Sequence, residues 1–220
     1  MLTGSWPCPV SGDEYALAFD RQRKARVLLI PALFDEGNKL RHFTVEVMRQ
    51  LDAGGIDAML PDLPGTNESP VPLAVQTLTG WRAAMTAAAR HFAATHALTV
   101  RGGALLDPGT LPGLRYAAVS GATIMRGMVR AQVLSDKEAG KATTSDDLKQ
   151  RAQAEGATLA GYALGAGMVR DLLVGEPPET LATKVDQGEL GGPGLWLRAE
   201  PAHDASQAER LAGQLLEQAG

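Results

Sequence analysis

Arg26-Val-Leu-Leu-Ile-Pro-Ala-Leu-Phe-Asp-Glu-Gly-Asn-Lys-Leu-Arg41 is the stretch on which the fold turns. Val27–Ile30 is a short unbroken apolar run of β type, as expected of a strand buried on both faces. Pro31 to Asn38 breaks the run with a loop. Leu40 to Leu51 then has helical spacing through Phe43, Val47 and Leu51, and Gly54-Gly55 ends the helix. A buried strand followed by a loop and an amphipathic helix is the opening of a βαβ unit.

The same rhythm runs outward in both directions. Upstream, Tyr15–Phe19 reads as an edge strand, with a polar turn over Asp20 to Lys24. Downstream, Ala58 to Asp62 is a strand, and Leu63 to Pro72 is a loop rich in Pro, Gly, Asn and Ser. Thr79 to Thr95 is a helix with Trp81, Met85, Ala88 and Phe92 on one face. Ala97–Val100 and Leu114–Val119 are further strands. The alternation predicts an α/β fold: a mainly parallel sheet, helices on both faces and right-handed crossovers. After Gly121 the pattern changes. Ala122–Leu134, Ser145–Ala154, Leu164–Leu173 and Glu179–Val185 all read as helical, with no strand between them. Residues 122–187 are therefore expected to form a helical cap insertion within a single domain spanning 1–220. Gly188 to Gly194 is a link, Leu195–Ala199 restores a strand, and Ser206–Gln218 closes with an amphipathic helix. There is no internal repeat.

Composition narrows the function classes. A chain of 220 residues with 45% hydrophobic and 21% charged residues has enough apolar material for one core. The net charge is −4 and the basic residues are scattered, which argues against a nucleic-acid partner. Cys8 is the only cysteine, so no internal disulfide forms and it reads as a bystander. Met1 to Val10 carry neither a basic nor an apolar leader region. The longest apolar runs fall far short of the roughly 20 residues of a membrane helix. A cytoplasmic protein that does not span a membrane is expected. The four histidines have no paired spacing, so neither a metal nor another cofactor is expected.

Ligands of open α/β sheets bind beyond the carboxyl ends of the strands. Asp35, Glu36, Asn38, Lys39 and Arg41 crowd the first such loop. One reading gives this loop a ligand-gripping role, with a backbone N–H for an oxyanion. The other makes it a helix start capped by Asp35 or Asn38. Asp62-Leu-Pro-Gly-Thr-Asn-Glu-Ser69 reads as a turn, with Asn67 and Glu68 placed to line a pocket. His42, His91 and His96 read as solvated or capping residues. His203, beside Asp204, follows the last expected strand and can reach the same edge.

A Gly-x-Ser-x-Gly corner would place a serine nucleophile on a sharp strand-to-helix turn. The chain has none; the matching corner is Thr99-Val100-Arg101-Gly102-Gly103. Arginine stays protonated and is no acyl acceptor, but it can hold a carboxylate or phosphate with two parallel hydrogen bonds. A strand-end salt bridge is the other reading of Arg101.

Pro31 to Arg41, ending Asp35-Glu36-Gly37-Asn38-Lys39-Leu40-Arg41, resembles the Pro-Pro-Phe-x-Glu-Glu-x-Asn-Lys-x-Arg signature of the exosortase A system-associated hydrolases, especially the type called hydrolase 2. Arg101-Gly-Gly-Ala-Leu-Leu106 is similar to that family's Gly-Leu-Arg-Leu-Gly-Ala corner. Val119-Ser-Gly121 with the helix after it, and Ala160-Gly-Tyr-Ala-Leu164, resemble its cap. The resemblance implies an α/β-hydrolase fold and an association with exopolysaccharide production and envelope protein sorting. It implies no particular substrate. Ala32-Leu33 in place of Pro-Phe, Asp35 in place of the first Glu and a short C-terminus depart from the family pattern. The arginine at the corner belongs to that pattern.

Three functions remain open at this level. In a hydrolase or acyl transferase with an unusual site, Asp35, Glu36 or Asp62 would be base or nucleophile, Ser120 a second nucleophile, His203 a further catalytic candidate and Arg101 an anion holder. In a non-catalytic protein binding a small molecule or saccharide, Arg101, Lys39 and Arg41 would recognise an acidic sugar or carboxylate, with Asn38, Asn67 and Glu68 lining the site. In an assembly protein, Met125 and Met128 would form a docking face. Geometry discriminates among them: Asp35, Glu36 and Arg101 around one water-accessible pocket favour a site, and Arg101 buried in a structural salt bridge, with the cap filling the pocket, favours the non-catalytic reading.

Overall fold

The computed structural model describes residues 2–219, so Met1 and Gly220 of the expected 1–220 domain lie outside the described residues. Strands β1 (Leu2–Cys8), β2 (Gly12–Phe19), β3 (Arg26–Ile30), β4 (Asp57–Pro61), β5 (His96–Val100), β6 (Gly113–Tyr116) and β9 (Ala182–Val185) form one sheet in the order β1-β2-β4-β3-β5-β6-β9. The β1–β2 and β2–β4 pairs are antiparallel, and every pairing from β4 to β9 is parallel.

The apolar run of β3 divides between the two faces because side chains alternate along a strand. Val27 and Leu29 face α2 (Arg41–Ala53) and α8 (Ala205–Ala219), packing with Phe43, Val47, Leu51, Leu211 and Leu215. Leu28 and Ile30 face α3 (Leu78–His91), meeting Trp81 and Met85. All four are fully buried, each worth roughly 1.5–3 kcal/mol relative to exposure.

Between β6 and β9 the chain builds α4 (Gly121–Glu138), α5 (Ser145–Glu155), a hairpin of β7 (Ala157–Leu159) and β8 (Tyr162–Leu164), and α6 (Ala166–Val174). These pack on the α3 side through Met125, Leu148, Leu159, Met168 and Leu172. Met125 and Met128 are buried here, so they form no exposed docking face.

Four sequence expectations are corrected. Glu179–Val185 is not a helix: Ala182–Val185 is β9, in register with β6 from Gly113↔Ala182 to Tyr116↔Val185. That strand lies inside the 122–187 stretch expected to be helical throughout, as does the β7–β8 hairpin. Leu195–Ala199 is not a strand: a 3₁₀ turn at Leu195–Leu197 buries Leu195 and exposes Leu197. β1 was not expected at all, because Gly4 and Pro7 suppress its β signal; proline is tolerated on such an edge strand.

The amino end of the sheet is closed by charge. Asp57 opens β4 fully buried and accepts from the backbone N–H of Arg21 (3.0 Å) and Arg23 (2.9 Å) and from Arg26 Nη1 (2.9 Å). Arg26 also pairs with Asp20 at 2.9 Å, and those hydrogen bonds hold the Asp20 carboxyl down at about 2. Arg21 and Arg23 clamp Asp52 at 2.9 and 2.7 Å.

Candidate functional site

Among the described residues, four of the seven non-glycine positions with positive φ follow the carboxyl ends of parallel strands. Phe34 after β3, Asn67 after β4, Arg101 after β5 and Ala117 after β6 all have positive φ, at 56°, 48°, 52° and 47°. Non-glycine residues in that region cost about 1–3 kcal/mol each and gather where a site demands a particular corner. Arg101 thus keeps the sharp corner of a nucleophile turn while supplying no nucleophile. Gly103 is what lets that corner pack: a Cβ there would lie 2.5 Å from the Ile30 carbonyl oxygen and press on that of Pro31.

Three of the five N–H groups of the Arg101 guanidinium have partners. Its Nε and Nη2 donate to the two carboxylate oxygens of Glu36 at 3.0 and 2.8 Å, and Nη1 donates to the Ala117 carbonyl at 3.0 Å. The Trp196 ring covers it, 3.9 Å from Cζ to the ring centroid, in a cation–π stack. Glu36 and Asp35 begin α1 (Asp35–Lys39), and Asp35 is exposed and paired with Lys39 at 2.8 Å.

Two clefts flank this corner. A polar cleft of about 900 Å³ is lined by Tyr15, Asn38, Arg41, Asp62, Asn67 and Glu68, among others. Asp62 is almost fully buried, accepting 2.7 Å from Asn67 Nδ2 and 3.4 Å from Arg41 Nη1. A second groove of about 570 Å³ runs between α1 and α4, over Leu33, Ile124, Gly127 and Met128, with Asp35 and Glu36 on its rim. Phe34 and Tyr162 border both. Their rings meet edge-on at 5.4 Å, and Asn38 Nδ2 donates to the Tyr162 hydroxyl at 3.1 Å. Burial, and secondarily the Asp35 charge, push the Tyr162 phenol above its usual value.

The structure therefore gathers Asn38, Arg41, Asp62, Asn67 and Glu68 around one cleft and puts Asp35 and Glu36 on the neighbouring groove. Arg101 and Lys39 are not among the lining residues of either. Ser120 lies elsewhere: it caps α4, its Oγ accepting from the Thr123 N–H at 3.3 Å. His203 is exposed and stacked on His42, ring centroids 4.2 Å apart. Its neighbour Asp204 is held below its usual value by the Ser206 hydroxyl and the N–H groups that it caps.

Three site residues escaped the sequence reading. Asp186, at the carboxyl end of β9, was hidden when its strand was read as a helix; it forms a capping box with Glu189 over α7 (Gln187–Leu190). Trp196 was assigned to a strand. Tyr162 lies on a hairpin 124 residues from Asn38, and no local pattern announces that contact. Among the described residues no group of three or more His, Cys, Asp or Glu is placed to hold a metal, and no helix is long and apolar enough to cross a membrane.

This strand order, with a corner after β5 and helices inserted before the last strand, is the α/β-hydrolase fold. A putative hydrolase from Agrobacterium vitis S4 superposes with a TM-score of 0.51 at 13% identity, covering 78% of this chain and 70% of that one. Alpha/beta hydrolase domain-containing protein 10 from mouse gives a TM-score of 0.49 at 14% identity, covering 78% and 69%. At 13% identity the likeness to the Agrobacterium protein is one of fold. No protein-family model matches the sequence, and no curated protein matches it. The chain has the α/β-hydrolase fold, with an arginine where that fold commonly carries a nucleophile.

Proposed function

We propose that this protein is a non-catalytic member of the hydrolase-like fold that binds an anionic sugar or small carboxylate in the polar cleft. The observation that carries the reading is the closed state of the corner. Arg101 pairs its charge with Glu36, donates to Ala117 and lies under the Trp196 ring, so the position after β5 offers no nucleophile and a charge already neutralised. Of the acid and histidine that a triad would need, Asp186 is tied into a helix cap and His203 lies exposed against His42.

The polar cleft has what a saccharide site uses: aromatic walls in Tyr15, Phe34 and Tyr162, and hydrogen-bonding groups in Asn38, Thr66 and Asn67. Arg41 supplies the charge; its ion pair with Asp62 is long and engages one terminal nitrogen, and the side chain is 40% exposed. The remaining guanidinium donors suit a carboxylate. The resemblance of Pro31–Arg41 to exosortase-associated hydrolases supports a role beside exopolysaccharide production, acting from the cytoplasm, with α4 to α6 as the cap over the site.

Titration calorimetry with glucuronate tests the reading. Saturable binding is expected, weakened about tenfold or more by Arg41→Ala, the loss of a charge-assisted hydrogen bond of about 1.5–3 kcal/mol. Hydrolysis of p-nitrophenyl esters above background, abolished by Asp62→Asn, would instead make the protein an enzyme.

A further inference from the structure

We infer that the ligand is an amphiphile, with its acidic head in the polar cleft and an aliphatic chain in the groove between α1 and α4. The inference rests on the reading of the polar cleft as a head-group site and extends it to a second compartment.

The two compartments are neighbours: one offers the Arg41 charge and the hydrogen-bonding groups of Asn38, Thr66 and Asn67, the other a floor of Leu33, Ile124 and Met128. They share a wall made of Phe34 and Tyr162, so a molecule leaving one passes over those two rings into the other. Three polar side chains on the rim of the groove have partners within the protein. Glu36 is held by Arg101, Asp35 by Lys39, and Gln132 by Asp136 and the Ala160 N–H. Both Glu36 oxygens are taken, while Asp35 keeps one carboxylate oxygen open toward solvent at the rim. The floor is Leu33, Ile124 and Met128, which favours apolar surface at about 25 cal/mol per Å².

Two glycines line the groove: Gly161, whose φ of 85° itself favours glycine, and Gly127, whose backbone does not require it. A Cβ placed on Gly127 or on Gly161 meets no atom within 4 Å. Gly127 lies in the middle of α4, where glycine costs about 1 kcal/mol of helix stability relative to alanine. Packing does not require glycine there, whereas space above the groove does. The volume of about 570 Å³ falls inside the ordinary range for small-molecule sites.

The test compares glucuronate with octyl β-D-glucuronide below its micelle concentration, by calorimetry and by methyl NMR of labelled methionine. The octyl glycoside is expected to bind about tenfold tighter or more, which burial of two methylenes supplies, and to shift the Met128 methyl resonance. Gly127→Leu fills open space on a helix and is expected to fold. It should reduce octyl glucuronide binding to the glucuronate level while leaving glucuronate binding unchanged. Equal affinity for both probes in the parent protein, with Met128 unmoved, overturns the amphiphile and leaves the head-group reading standing. No binding of either probe overturns both. Octyl glucuronide binding that survives Arg41→Ala undiminished overturns the two-compartment ligand, because the head would then contribute nothing.

Discussion

The two ends of the sheet solve opposite problems. At the amino end, Asp57, Arg26, Asp20, Asp52 and Arg23 saturate one another, and Asp57 is fully buried. At the carboxyl end, positive φ angles recur at Phe34, Asn67, Arg101 and Ala117, and clefts stay open beside them. Satisfied charge at one end holds a sheet that carries strained corners at the other. Positive φ also occurs toward the amino end, at Gln22 and Ala93, so it is the open clefts together with the corners that mark the carboxyl end as the site.

The sharpest way to break the contrast is at the amino end. Asp57→Ala leaves Arg26 and two backbone N–H groups without their buried acceptor and is expected to cost about 3 kcal/mol or more. Urea unfolding would show it as a lowered midpoint. At the carboxyl end the corresponding change is milder. Arg101→Ser removes an ion pair that is only partly buried, and about 1–2 kcal/mol is expected. The same variant places a hydroxyl at the strained corner, yet esterase activity is not expected, because Asp186 is tied into a helix cap and His203 lies exposed against His42; p-nitrophenyl ester assays would show this. The smallest effect is in the acid range. Asp20 is depressed to about 2 by Arg26, so its contribution is complete above its unfolded value near 3.8 and is lost as pH falls through about 2. Asp20→Asn should therefore differ from the parent at pH 5 and converge with it near pH 2, followed by thermal unfolding across that range.

Much of the scaffold was legible in local pattern. Val27–Ile30 announced a buried strand, the Leu40–Leu51 spacing announced α2, and the missing serine motif pointed to Arg101 as the corner residue. What escaped is instructive. β9 has only four residues, of which Thr183 and Lys184 are exposed, so nothing in Ala182–Val185 resembles the apolar run of β3. Trp196 and its neighbours looked like a strand by composition, but the chain turns there to cover Arg101. Asn38, Asp62 and Asn67 were named from their places after strands, and one cleft gathers them. The Glu36–Arg101 pair spans 65 residues and leaves no trace in a linear reading.

The stack of Trp196 on Arg101 also gives the molecule a native optical reporter. The chain has three tryptophans, and Trp6 and Trp81 are sealed in the core. Trp196 alone is partly open, and it borders the groove between α1 and α4. Quenchers dissolved in water reach its indole preferentially, so its emission colour records whether that groove is wet or filled.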